Sequence, residues 1–141
     1  MIVLDTNVVS VMMRPENAPQ VLDWLDTQPV DSIWTTAITL FEVRYGLAAL
    51  SDVRRRRALE ANFERVLREG LSGRVLDFDA SSAFAAADLM AALRRQGRGI
   101  ELRDLQIAGT VAARRATLAT GNTRHFEHAG IGLVNPWEEP A

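Results

Sequence analysis

Four oxygen-bearing side chains stand where chemistry can be built: Asp5, Glu42, Asp104 and Asn122. Asp5 directly follows the apolar run Met1–Leu4. Glu42 sits among Leu40, Phe41 and Val43, an odd setting for a solvated carboxylate. Asp104 falls in the first turn of an expected helix, and Asn122 follows Thr120 and Gly121 just after a strand-like run. Three carboxylates drawn together repel one another unless a cation lies between them. Mg²⁺ and Mn²⁺ take oxygen ligands and usually keep several waters. Such an ion makes water a better nucleophile and stabilises charge developing on a phosphoryl oxygen, so a phosphodiester is the substrate class this set suits.

Each residue also has a plain structural reading. Asp5 in Asp5-Thr6-Asn7 reads as a helix cap. Glu42 reads as a partner for Arg44 or another arginine, and Asp104 as a carboxylate favoured by a helix N-terminus. Asn122 in Gly121-Asn122-Thr123 reads as a turn residue. What favours a site is the constellation, because active sites of open parallel sheets form beyond the carboxyl ends of the strands. Four separate segments would bring these side chains to that one edge.

The elements that must position them follow from pattern. Met1–Leu4 is a short apolar run suited to a strand buried on both faces. Val8–Met13 reads as a short helix broken by Pro15, and Pro19 opens another through about Leu25. Ser32–Thr35 is a second strand, after which Thr36 or Thr39 caps a helix carrying Phe41, Val43, Tyr45 and Leu47. Asp52–Glu69 forms a charged amphipathic helix with Leu59, Phe63, Val66 and Leu67 as its stripe, ended by Gly70 and Gly73. Val75–Phe78 is a third strand. Ser81 or Ser82 opens a long helix to about Arg95, ended by Gly97 and Gly99, and Leu102–Arg115 is a further helix. Thr117–Thr120 and Gly132–Val134 complete the strands. Alternation of this kind predicts an α/β fold around a mostly parallel, about five-stranded sheet. The chain, residues 1–141, is expected to form one domain, with Pro136–Ala141 as a polar tail. Trp24, Trp34, Phe41, Phe63, Phe78 and Phe84 are assigned to the core, since they do not alternate with basic residues as an RNA-stacking platform would.

Composition narrows the options. The chain has no cysteine, which excludes disulfides, thiolate metal sites and cysteine nucleophiles. All 16 basic residues are arginine. Without lysine, a Walker phosphate loop fails, and so does a phosphoaspartyl receiver-like pocket. Gly-x-Ser-x-Gly is absent, which removes the common serine-hydrolase pattern. The net charge of −2 does not suit a protein that coats nucleic acid. Neither a signal peptide nor a membrane-crossing run is expected, which points to the cytoplasm.

At this stage the sequence resembles PIN-domain ribonucleases, and more narrowly the VapC and FitB toxins of bacterial toxin–antitoxin pairs. The resemblance spans nearly the whole chain. It rests on Ile2-Val3-Leu4-Asp5-Thr6-Asn7, then Ala37 to Gly46 around Glu42. Asp104 with Ile107-Ala108 and Ala112 forms the third block. Leu118 to Asn122 with His125-Phe126, closing at Val134-Asn135-Pro136-Trp137, forms the last. The resemblance implies a three-layer α/β/α PIN-like domain and a Mg²⁺-dependent endoribonuclease, with Mn²⁺ as a possible substitute. It assigns Asp5, Glu42 and Asp104 as metal-binding carboxylates and places Asn122 at a fourth position that is Asp in many relatives. An amide oxygen there can ligate an ion or hold a water but adds no charge, so one ion or two stays open. Thr120 and Asn7 would support the cluster, and Asp88 would stand at its rim or simply in solvent. The implied partners are an RNA substrate, a cognate antitoxin whose tail blocks the site, and a second copy of the toxin, with toxin and antitoxin joined in a larger complex. A non-catalytic PIN-like module binding RNA or protein is one alternative, and a structure-specific DNA nuclease another.

The remaining charged features read more blandly. Arg54-Arg55-Arg56-Arg57 suits a solvated helix face paired with Glu60 and Glu64, or a phosphate track. Arg94, Arg95, Arg98 and Arg103 could guide an RNA backbone toward Asp104. His125 and His128, three apart, suit ordinary packing or solvent better than a metal pair.

Overall fold

The computed structural model describes residues 1–138, so the last three positions of the expected tail lie outside the described residues. Five strands form one sheet: β1 (Ile2–Leu4), β2 (Ile33–Thr36), β3 (Val75–Leu76), β4 (Thr117–Ala119) and β5 (Gly132–Val134). Their order is β3-β2-β1-β4-β5, and every pairing is parallel. In register, Val3 lies opposite Trp34 on one side and Leu118 on the other. β1 is therefore central, and Val3 and Leu4 are fully buried.

Successive strand residues point to opposite faces. Leu4 joins a cluster with Val8, Val43, Leu47, Leu59 and Phe63. Val3 joins a second with Ile107, Val111, Leu118 and Phe126. The first cluster is covered by α1 (Thr6–Met13), α2 (Pro19–Asp26), α3 (Ala37–Ala48) and α4 (Val53–Arg65). The second is covered chiefly by α6 (Leu102–Ala113) and α7 (Thr123–Phe126), with Leu89 of α5 (Ala80–Arg95) packed against it. This is the expected α/β/α sandwich, and its sheet is wholly parallel.

Two helices pack unusually close. A Cβ at Gly109 of α6 would stand 2.6 Å from Ala86 Cβ and 2.7 Å from the Ser82 carbonyl oxygen on α5. Only glycine allows this approach, which fixes the helix that carries Asp104.

Several expectations need correcting. Phe41 and Phe84 are not core; they are 59% and 72% exposed. On α3, Val43 and Leu47 face inward. Phe41 and Tyr45, each two residues out of that phase, stack together on the outside with ring centroids 6.3 Å apart. Phe84 is likewise out of phase with the buried Ser82 and Ala86. The long α5 is capped by Asp79 rather than opened by Ser81 or Ser82, since Asp79 Oδ1 accepts from the Ser82 backbone N–H at 2.9 Å. The expected helix through Glu69 ends as an α-helix at Arg65 and continues as one π-type turn, Val66–Gly70. Gly73, at φ +71°, then supplies the left-handed turn. Of the arginine run, only Arg56 makes an ion pair among the described residues, with Glu60 at 3.6 Å.

Candidate active site

The strand order reverses between β1 and β4, and such a switch point opens a crevice at the carboxyl ends of the strands. Asp5 leaves β1 there, its backbone N–H donating to the Ala119 carbonyl at 3.0 Å. The side chain accepts three hydrogen bonds, two of them on Oδ2, which leaves acceptor capacity on Oδ1. Oδ1 accepts from the Thr6 backbone N–H at 2.8 Å, and Oδ2 accepts from Thr120 Oγ1 at 2.7 Å and Asn7 Nδ2 at 3.3 Å. The helix-cap reading of Asp5 is thus correct locally, yet the same carboxylate is tied to β4.

Thr120, also fully buried, is the node of this network. Its hydroxyl accepts from Asn7 Nδ2 at 3.2 Å and from the Asn122 backbone N–H at 3.0 Å while donating to Asp5. Asn7 Oδ1 in turn accepts from the Gly121 backbone N–H at 3.0 Å. Asn7 and Thr120 therefore fix the turn after β4 against the start of α1.

Glu42 reaches the same edge from α3, whose start is set by Thr36 Oγ1 accepting from the Thr39 backbone N–H at 3.1 Å. Thr6 Oγ1 donates to Glu42 Oε1 at 3.1 Å. Thr6 is a site residue that the pattern reading passed over; its position between the acid Asp5 and Asn7 was the available signal. Asp104 comes from the first turn of α6, which Glu101 caps by accepting from the Arg103 and Asp104 backbone N–H groups. His125 Nδ1 lies 3.2 Å from Asp104 Oδ2.

The electrostatics tie the three acids together. Burial holds the Asp5 carboxyl above its ordinary range, against the pull of its hydrogen bonds. Glu42 is raised first by burial and then by the Asp5 charge, with Arg103 acting the other way. Asp104 is raised by burial and by the charge of Asp5. Among the described residues, no three acidic or imidazole side chains close into a ready-made ligand cage. The donor set is nevertheless all oxygen and self-repelling, with Asp5 buried and Glu42 and Asp104 half-buried. That suits a hard divalent cation that brings its own waters, and not a closed tetrahedral zinc site.

Asn122 takes a different place. It is exposed at the rim, and among the described residues its side chain makes no hydrogen bond. Asp88 lies exposed on α5, outside the hydrogen-bond network of the cluster. Arg103 stands beside the acids but is paired with Glu101 at 3.4 Å, and Arg94 and Arg95 lie exposed in the last turn of α5. The two histidines do not converge: α7 ends at Phe126, and His128 turns instead to Arg98 at 2.8 Å and Glu127 at 3.3 Å.

A groove of about 240 Å³ runs from Thr6 and Glu42 past Gly46 to Met13, Leu47 and Leu50. Ser10 and Arg14 also line it, so it carries one acid and one cation beside apolar side chains.

A parallel sheet in this order, with acids at the switch point, defines a class, and the chain belongs to the PIN domain family, whose model matches residues 2–131. Within that family it is similar to VapC and FitB proteins. It is 41% identical to the VapC ribonuclease Y4jK of Sinorhizobium fredii over 98% of this chain and 99% of that protein. It is 33% identical to toxin FitB of Neisseria gonorrhoeae over 99% of this chain and 100% of that one. The crystal structure of FitAcB from Neisseria gonorrhoeae superposes with a TM-score of 0.90, at 33% identity, covering 99% of this chain and 100% of that one. Among the described residues no helix is long and apolar enough to cross a membrane.

Proposed function

We propose that the protein is a Mg²⁺-dependent endoribonuclease and the toxin of a toxin–antitoxin pair, acting in the cytoplasm. The observation that carries this reading is the convergence of three carboxylates on one edge of the sheet: Asp5 follows β1, Glu42 is bonded to the next residue, Thr6, and Asp104 meets His125 of the segment after β4. The name of the Sinorhizobium relative, a ribonuclease, supports RNA as the substrate. When bound, a divalent ion supplies Lewis-acid activation of water and neutralises charge on the phosphoryl oxygens.

The residues of the chain do the rest. Asp5, Glu42 and Asp104 would hold the ion, with Mn²⁺ able to replace Mg²⁺ at an all-oxygen site. Thr120 and Asn7 keep Asp5 in place, and Thr6 keeps Glu42 in place. Asn122, at the rim, is positioned to contact a water or the substrate without adding charge. Arg103 offers a cation beside the acids for a backbone phosphate.

An antitoxin belongs to the same reading, since similar solved structures include FitAB bound to an IR36 DNA fragment and FitAcB from Neisseria gonorrhoeae. The groove with Glu42, Arg14, Met13, Leu47 and Leu50 in its lining suits a peptide that carries both charged and apolar side chains. We also infer a homodimer, for which the Phe41–Tyr45 stack and Phe84 offer exposed apolar surface.

Matched RNA and DNA oligonucleotides, incubated with purified protein and Mg²⁺, Mn²⁺ or chelator, test this function. RNA cleavage that stops in chelator is the expected result. Cleavage of DNA alone would move the reading to a DNA nuclease. Binding of RNA with no cleavage in any divalent ion would move it to a non-catalytic module.

A further inference from the structure

The three acids are steadied in different ways. Asp5 is held by three donors and Glu42 by Thr6. Among the described residues, Asp104 Oδ2 has one side-chain contact within hydrogen-bond reach, the His125 imidazole at 3.2 Å, and Oδ1 has none. That imidazole is placed by the segment after β4. The His125 backbone N–H donates to the Asn122 carbonyl at 3.0 Å, and the next residue, Phe126, is 1% exposed in the second core cluster. The ring is therefore fixed at its base although it is itself largely exposed. It also borders two recesses, one shared with Asn122 and Asn135, the other with Glu101 and Asp104.

We infer that His125 is a positioning residue for Asp104: its Nδ1–H engages Oδ2 and orients the carboxylate toward the acidic edge. The inference rests on the metal-dependent reading above. It gives the segment after β4 a role that its own rim residue, the uncharged Asn122, does not supply. An exposed imidazole–carboxylate contact adds little to stability. Hydrogen bonds to a ligating carboxylate, in contrast, orient it toward the ion. The role therefore belongs to ion affinity more than to folding.

Mn²⁺ binding, followed by the electron paramagnetic resonance of the free ion, tests this on the whole protein. His125→Ala is expected to weaken Mn²⁺ binding about tenfold with an unchanged circular dichroism spectrum, the lower end of what loss of such an orienting partner costs. His125→Asn, whose amide N–H stands where Nδ1 does, is expected to restore most of the affinity. Wild-type affinity in His125→Ala would overturn this inference alone. Equal weakening in both variants would also overturn it, since lost packing and not the hydrogen bond would then be responsible. No Mn²⁺ binding by the wild type would overturn the metal reading and this inference together.

Discussion

Thr120 Oγ1 donates to Asp5 Oδ2 at 2.7 Å, joining residues 115 positions apart across the seam between β1 and β4. The same hydroxyl accepts from Asn7 and from the Asn122 backbone, so one buried oxygen locks the segments after β1 and β4 together at the edge where the acids gather. Thr120→Val keeps the shape and strips every one of these bonds. The buried Asp5 carboxylate then loses its shortest hydrogen bond, at an expected cost of about 1–3 kcal/mol. Urea unfolding measures that loss, and Thr120→Ser should recover most of it.

The raised carboxyls make a pH prediction with a definite sign. Asp5, Glu42 and Asp104 are all held above their unfolded range, so folding favours their protonated forms. Their contribution to stability is fully present at low pH and is lost as pH rises through the folded values. In chelator, Asp104→Asn should therefore melt above the wild type near about pH 8, with the gap closing toward about pH 4. Calorimetric scans across that range check it. A gap that widens as pH falls would contradict the sign.

Asp79 works in the opposite direction. The Ser82 backbone N–H, then the Ser82 hydroxyl and Arg114, lower its carboxyl to about 2. Its contribution is present above the unfolded value and is lost as pH falls through the folded one. Asp79→Ala should melt below the wild type at neutral pH, and the two should converge as the pH approaches the lowered value. Thermal melts of the pair read this directly.

Gly109→Ala tests the close approach of α5 and α6. Alanine is the better helix former by roughly 1 kcal/mol, but overpacking costs roughly 1–3 kcal/mol. Two of the atoms it would meet, the Ser82 carbonyl oxygen and the Ala86 Cα at 2.9 Å, belong to backbone and give little. A net loss of up to about 2 kcal/mol is expected in denaturant unfolding. Since α6 carries Asp104, nuclease activity should fall as well.

Much of this architecture was legible before any coordinates, and the reasons are specific. Met1–Leu4 showed a doubly buried strand because both Val3 and Leu4 are apolar, and they do face the two core clusters. Pro19 marked a helix start because its fixed φ suits that place. Asp5, Glu42 and Asp104 stood out by their positions after strands and at helix starts. Residues whose role depends on contacts across the chain were harder to see. Phe41 and Tyr45 read as core by type, and only the phase set by Val43 and Leu47 turns them outward. Asp79 was hidden as a cap because Ser81 and Ser82 carry the same signal nearer the helix. His125 looked like a solvent residue because its partner, Asp104, comes from a different helix.

The most direct test of the central claim is the rate of RNA cleavage in saturating Mg²⁺ by Asp5→Asn, Glu42→Gln and Asp104→Asn beside the wild type. Each variant removes one charge from the cluster while keeping its shape. Every one is expected to fold yet cleave at least about a hundredfold more slowly, the scale of losing one electrostatic element of an active site. Wild-type rates in Asp5→Asn and Asp104→Asn would show that the cleaving site lies elsewhere.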